Sequence, residues 1–254
     1  MQRLQPPLAE LDDVTDVLQR CSDNRGYDCV KPWLRLQDSQ LSRPQQTTAW
    51  RILHGALKVN GLRSFLHAHL PSSSAYCTHP ACLHARAVET LSHSFLDCPA
   101  ARPALVWLQD LWEAVAGERP PLDARVLLAD DHRVWRPGEE AALGQLWTLL
   151  RVAMLHAVWQ CRSYRHELVG SFSAAAVTRV VVYVRTAIER DWLRANEDVR
   201  LLSDMPADYF RGRDPQMEMD AFLACWAHRG VLCSIHGGHL ALHLSLQAPV
   251  PMPV

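Results

Sequence analysis

Lysine is nearly missing from this sequence. Of its 26 basic residues only Lys31 and Lys58 are lysines, and all the others are arginines. Arginine's forked donors suit phosphate recognition, but a GC-rich coding sequence leaves the same mark, so no function follows from the ratio. Net charge is missing too: 27 acids against 26 bases leave -1. That excludes a globally basic nucleic-acid binder and leaves room for a local basic patch. The opening Met1-Gln2-Arg3-Leu4-Gln5-Pro6-Pro7 holds no apolar signal region, so the expected compartment is reducing and intracellular, nucleus or cytoplasm. The most apolar run, Leu146 to Trp159, is interrupted by Arg151 and His156. It is too short for about 30 Å of hydrocarbon, and no membrane partner is expected. Eight cysteines are too few for a disulfide scaffold of 254 residues, which leaves buried small hydrophobes or metal ligands. No glycine-rich phosphate loop or nucleophile elbow is found, and no catalytic residues are expected.

What is present reads as a folded, mainly α-helical chain, 48% apolar and 21% charged, of one large domain or two modest ones. Residues 1–42 form an acidic leader and connector, with a short amphipathic helix at Leu8 to Leu18 and anchors at Trp33 and Leu34. Residues 43–117 form a module that opens on a capping box, Ser42 with Gln45. Helical spacing continues to Val59, with Asn60-Gly61 as the stop. Trp50, Leu53 and Leu57 fall on one face, and Thr47, Arg51, His54 and Lys58 on another. A further short helix is expected over Leu62 to His69, and another from Ala104 to Val115 ending at Gly117. Residues 118–138 read as a linker.

Residues 139–246 read as a helical region. Its first helix, Glu139 to Leu168, is so apolar that most of its circumference must be buried. Val177 to Ile188 is read as helix despite its β-branched content. His236-Gly237-Gly238-His239 predicts a two-residue hairpin turn, which pairs Ile235 with Leu240, Cys233 with Leu242 and Val231 with Leu244. Residues 247–254 read as a disordered tail.

Charge is unevenly placed. Residues 43–70 carry Arg43, Arg51, Lys58 and Arg63 and no acid, whereas residues 104–145 hold eight acids against four bases. The stripe Arg51, His54 and Lys58, with Arg63 nearby, is a plausible phosphate-contact surface or an ordinary solvated helix face.

One constellation points to metal. Cys77-x4-Cys82-x10-His93-x4-Cys98 offers three thiolates and an imidazole, the donors that zinc prefers at tetrahedral corners. Cys77 and Cys82 on a loop take one edge, while His93 and Cys98, straddling a helix end before Pro99, take the other. His79 and His84 lie close enough to substitute at a corner. A structural zinc contributes on the order of 10 kcal/mol to folding.

These residues resemble a family. Trp50-Arg51-Ile52-Leu53-His54-Gly55, the two cysteines, and Glu89-Thr90-Leu91-Ser92-His93-x4-Cys98-Pro99 are similar to the zinc-binding region found C-terminal to the reverse transcriptase of non-LTR (LINE-like) retrotransposons. Leu146-Trp147-x2-Leu149-Leu150-Arg151 and Ala157-Val158-Trp159-Gln160-Cys161-Arg162 look like the tryptophan-rich helix that follows that module. The resemblance implies Zn2+ at Cys77, Cys82, His93 and Cys98, and binding of nucleic acid, RNA or primed template, beside a polymerase. The catalytic palm of such polyproteins has no counterpart here, so the chain reads as a detached remnant and not as an enzyme. The alternative is a scaffold or protein-interaction protein whose zinc is purely structural.

Three further features carry less. Leu128-Ala129-Asp130-Asp131 mimics a polymerase aspartate pair but reads as a solvated turn, because two-metal chemistry needs a further carboxylate and a much larger domain. Cys225-x2-His228 with Cys233-x2-His236 has zinc-like spacing, yet the hairpin register turns Cys233 to the apolar face and His236 to the other. His236, His239 and His243 form a polar ring able to bind metal weakly. Cys21, Cys29 and Cys161 are assigned to packing.

Overall fold

Apolar residues at helical spacing bury one stripe per helix, and a single central helix collects most of those stripes. In the computed structural model, which describes residues 36, 41–61, 75–130, 141–162, 168, 170–201 and 215–244, the chain is mainly helical with a C-terminal two-stranded hairpin. The helices are α1 (Arg43–Leu53), α2 (Pro80–His84), α3 (Arg102–Ala116), α4 (Ala124–Leu127), α5 (Ala141–Arg162), α6 (Phe172–Leu201) and α7 (Pro215–Trp226). The strands are β1 (Cys233–His236) and β2 (His239–Leu242). Four expected features lie outside the described residues: the Leu8–Leu18 helix, the Leu62–His69 helix with Arg63, the anchors Trp33 and Leu34 with Cys21 and Cys29, and the 247–254 tail.

Helix α5 is the spine. It packs against α1, α3, α6 and α7, and Leu146, Trp147, Leu150, Val152, Met154, Leu155 and Val158 are each buried to within 1%. Among the described residues it alone is long and apolar enough to cross a membrane, but 72% of its most apolar window is buried inside the protein. That is the pattern of a helix whose partners are other helices. Trp147 meets Trp112 of α3 edge-to-face, with ring centroids 5.2 Å apart, the arrangement that aromatic quadrupoles favour. Against another side of α5, Val177, Val180, Val181, Val184 and Ile188 of α6 are buried, while Arg179, Arg185, Arg190 and Arg194 face outward. The β-branched run is therefore helix, as its arginine spacing required.

Helix α1 departs from expectation in two ways. The Ser42–Gln45 capping box forms, with Gln45 Oε1 accepting from the Ser42 backbone N–H at 2.8 Å. The helix nevertheless ends at Leu53, because Gly55 turns left-handed at φ +60° and breaks the pattern before Asn60-Gly61 is reached. The buried stripe is Gln45, Thr48, Ala49, Ile52 and Leu53, so Trp50 stands 47% exposed beside it. Leu53 and Leu57 are buried as expected.

The hairpin takes the expected register, Cys233 opposite Leu242 and Ile235 opposite Leu240. Gly237 and Gly238 both adopt positive φ at its turn, which a primed two-residue turn demands. The paired strands end at Cys233 and Leu242; one further bond in the same register joins the His243 N–H to the Leu232 carbonyl, and the chain bends at Val231. Helix α7 was not read from the sequence; it covers α5 and α6 and donates from Trp226 Nε1 to Asp191 at 3.1 Å.

The 118–138 stretch holds a surprise in its described part. Asp123 caps α4 by accepting from the Val126 N–H, and Val126 to Ala129 are all buried. Asp130 is not in a solvated turn: it is 2% exposed and 3.4 Å from the guanidinium of Arg151 on α5, which also donates to the Leu127 carbonyl at 2.7 Å. Two charges buried together cost about as much as they return, but removing one strands the other. Arg151→Met is expected to lower unfolding stability by about 3–5 kcal/mol in a urea titration, and Asp130→Asn by less, since its amide still accepts. Full stability in Arg151→Met would show that the pair is not what holds this segment.

Candidate metal centre

Residues 75–101 build the site from short local bonds. Tyr76 and Val88 form an isolated antiparallel bridge, flanked by Cys77 N–H to Ala87 carbonyl and Glu89 N–H to Ala75 carbonyl, both 2.9 Å. Between these arms, α2 starts at Pro80, which needs no N–H donor there, and Arg86 turns left-handed at φ +52° to close the knuckle. This pinches Cys77 and Cys82 toward each other.

The other pair comes from an irregular turn. His93–Asp97 is π-helical, and the Cys98 N–H bonds to the His93 carbonyl at 2.8 Å. On an α-helix, with about 100° per residue, positions five apart lie roughly 140° round from one another. The wider i→i+5 turn brings them back to one side. Cys98 then leaves in extended conformation, and Pro99 starts the run into α3.

The structure brings all four predicted residues together. Their ligand atoms lie within 4.8 Å of one another. Cys98 Sγ is 3.9 Å from both Cys77 Sγ and Cys82 Sγ. A tetrahedral ion bound by thiolates at about 2.3 Å has an edge of about 3.8 Å, so the sulfurs already stand where such an ion needs them. Among the described residues His93 Nε2 is buried with no hydrogen-bond partner, as an imidazole lone pair reserved for a metal would be. The three cysteines are buried. The Cys3His cluster is therefore a possible metal site. His79 stays outside it, with Nδ1 4.0 Å from Cys82 Sγ, and His84 is exposed.

The thiols repel charge until an ion arrives. The bond to Cys98, then burial, push Cys77 up to about 12, against a smaller opposite pull from His93. The Cys77 thiol thus keeps its proton at neutral pH, and thiolate ligation must expel it.

Glu89 is the functional residue that sequence reasoning passed over. It is fully buried and accepts the Arg162 guanidinium in a fork, with Nε at 2.8 Å from Oε1 and Nη2 on Oε2. Its Oε2 also accepts the Asn60 N–H at 2.7 Å, while Asn60 Oδ1 accepts from Arg162 and Asn60 Nδ2 donates to the Tyr76 carbonyl. Arg162 in turn lies over Trp159, 4.9 Å from the ring centroid, and Trp159 faces Phe95 of the π-turn at 6.5 Å. Glu89 stood inside the quoted motif, but nothing local marked it as an anchor.

The remaining candidates are dispersed. Cys225 and Cys233 are buried core residues, and burial raises Cys233 to about 11. Cys233 Sγ bonds to the Trp226 carbonyl at 3.3 Å, so the second zinc-like spacing forms no cluster. Cys161 is buried, as expected of a packing residue. His236 and His243 both reach Ser234 Oγ, at 2.9 and 2.6 Å. Arg51, His54 and Lys58 are exposed, Lys58 beyond the end of α1.

Protein purified without added metal is expected to carry one equivalent of bound ion by elemental analysis, and Cys82→Ser to carry little. Calorimetry in buffers of different ionisation enthalpy should record proton release on binding, and affinity should fall as pH drops because protons then compete for the thiolates. Binding without proton uptake by the buffer would exclude thiolate ligation. Comparison with models of protein families, with curated proteins and with solved structures finds no match to this chain.

Proposed function

We propose that the chain is a zinc-binding, nucleic-acid-binding module of the kind that stands C-terminal to the reverse transcriptase in non-LTR retrotransposons, with single-stranded RNA or primed template as its partner. Zinc is the ion that three thiolates and one imidazole favour. When bound it cross-links the knuckle to the π-turn and does no chemistry. The reading assigns no catalytic residue, and polymerisation belongs to a separate palm.

One observation carries the nucleic-acid assignment. The exposed face of α1 combines Arg43, Arg51 and His54 with a solvent-facing Trp50 whose ring lies 4.3 Å from that of His54, and residues 43–61 contain no acid. Cations alone make an ordinary helix surface. Cations beside an exposed tryptophan make a surface that can hold phosphate and stack a base, the combination that single strands require. Lys58 extends the positive charge past the helix end. A scaffold would need an open docking face such as the tryptophan-rich helix, but Trp147 and its apolar neighbours are spent inside the chain.

Arg51→Ala with Lys58→Ala is expected to weaken binding of labelled single-stranded RNA alike for all sequences. It should also reduce the slope of log affinity against log salt by about one to two. Trp50→Ala should cost about 1–3 kcal/mol of binding and leave that slope unchanged. An unaltered slope in the double variant, or no RNA binding by the metal-loaded protein, would favour the scaffold.

A further inference from the structure

Between α1 and α5 runs an open cleft of about 560 Å³, within the range of small-ligand sites. Thr48 and His156 tie its floor, with Oγ1 and Nδ1 2.7 Å apart. Its two walls differ in chemistry. Helix α1 supplies Arg43, Thr47 and Arg51, and helix α5 supplies Trp159 and Gln160. Among the described residues no carboxylate lines it.

The arginines sit eight residues apart, two helical turns or about 12 Å along α1, on either side of Thr47. Charge therefore flanks the cleft while an indole and an amide line the opposite wall. Gln160 is held by Arg179, whose Nη1 reaches its Oε1 at 3.5 Å. His156 adds no charge at neutral pH, because burial, then the Arg179 charge, lower its pKa. An open cleft with cations on one wall and a flat aromatic beside an amide on the other suits a heterocycle carrying phosphates.

We propose that this cleft seats one unstacked nucleobase of a single-stranded nucleic acid, its flanking phosphates on Arg43 and Arg51 and its ring in the cleft against Trp159 and Gln160. The proposal rests on the nucleic-acid reading above and adds a base-binding position on a second element. It separates affinity for a charged backbone from affinity for the base itself.

The experiment titrates the full-length, metal-loaded chain with three probes: a dye-labelled single-stranded oligonucleotide, an abasic strand of equal length and charge, and a free mononucleotide. The expected result is about tenfold tighter binding of the base-bearing strand than of the abasic one. Gln160→Phe, which fills the cleft from an exposed position, should erase that difference and keep the salt slope. Thr47→Met fills it from the other wall and serves if the first variant loses helical content or metal. Equal affinity for both strands with a steep salt slope would overturn the cleft assignment and leave the charged face standing. Failure of both strands to bind would overturn both readings. A difference that survives both filled variants would place the base elsewhere, and a mononucleotide binding as tightly as the strand would make the cleft a small-molecule site.

Discussion

A buried carboxylate that meets a guanidinium across the chain holds this architecture in register. Glu89 lies four residues before His93, and Arg162 is the last residue of the central helix. Their forked bond, with Asn60 as third partner, is the polar joint between the segment that carries the Cys3His cluster and a segment that organises around apolar packing. Forked arginine–carboxylate pairs fix angle as well as distance, so the joint sets how the knuckle sits on the helix. Its burial makes it exacting, because neither charge tolerates loss of the other.

The central helix explains the rest of the fold. A helix apolar on nearly all sides must be surrounded, and α1, α3, α6 and α7 surround it. Its one buried cation, Arg151, is neutralised by Asp130 from the segment before it. The chain thus uses the same device twice, an arginine of α5 held by an acid from elsewhere, once at mid-helix and once at its end. Between these joints the helix is free to supply apolar surface.

Much of this was legible in residues and spacing. The four metal-site residues were found from their interval because ligand geometry is local. The hairpin register followed from two adjacent glycines, and α6 was recovered because outward arginines recur at helical spacing through the valine-rich run. The misreadings have physical causes. Asn60-Gly61 reads as the helix stop, but Gly55 ends the helix earlier, since a single left-handed residue suffices. Trp50 was placed inward on period alone, while the stripe through Thr48, Ala49 and Ile52 won the core. Asp130 read as solvated because its partner lies 21 residues onward. Glu89 was invisible as an anchor for the same reason, with Arg162 73 positions further along the chain. The π-turn gave no periodic signal, since one wide turn is too short to have a period.

Trp159 belongs to two compartments. One part of its ring lines the cleft with α1, and the same side chain meets Phe95 of the π-turn and the guanidinium of Arg162. The indole is therefore a party wall between the ion-organised knuckle and the groove. Its position is set by packing from both sides at once, and a change of this one side chain would disturb the knuckle and the groove together.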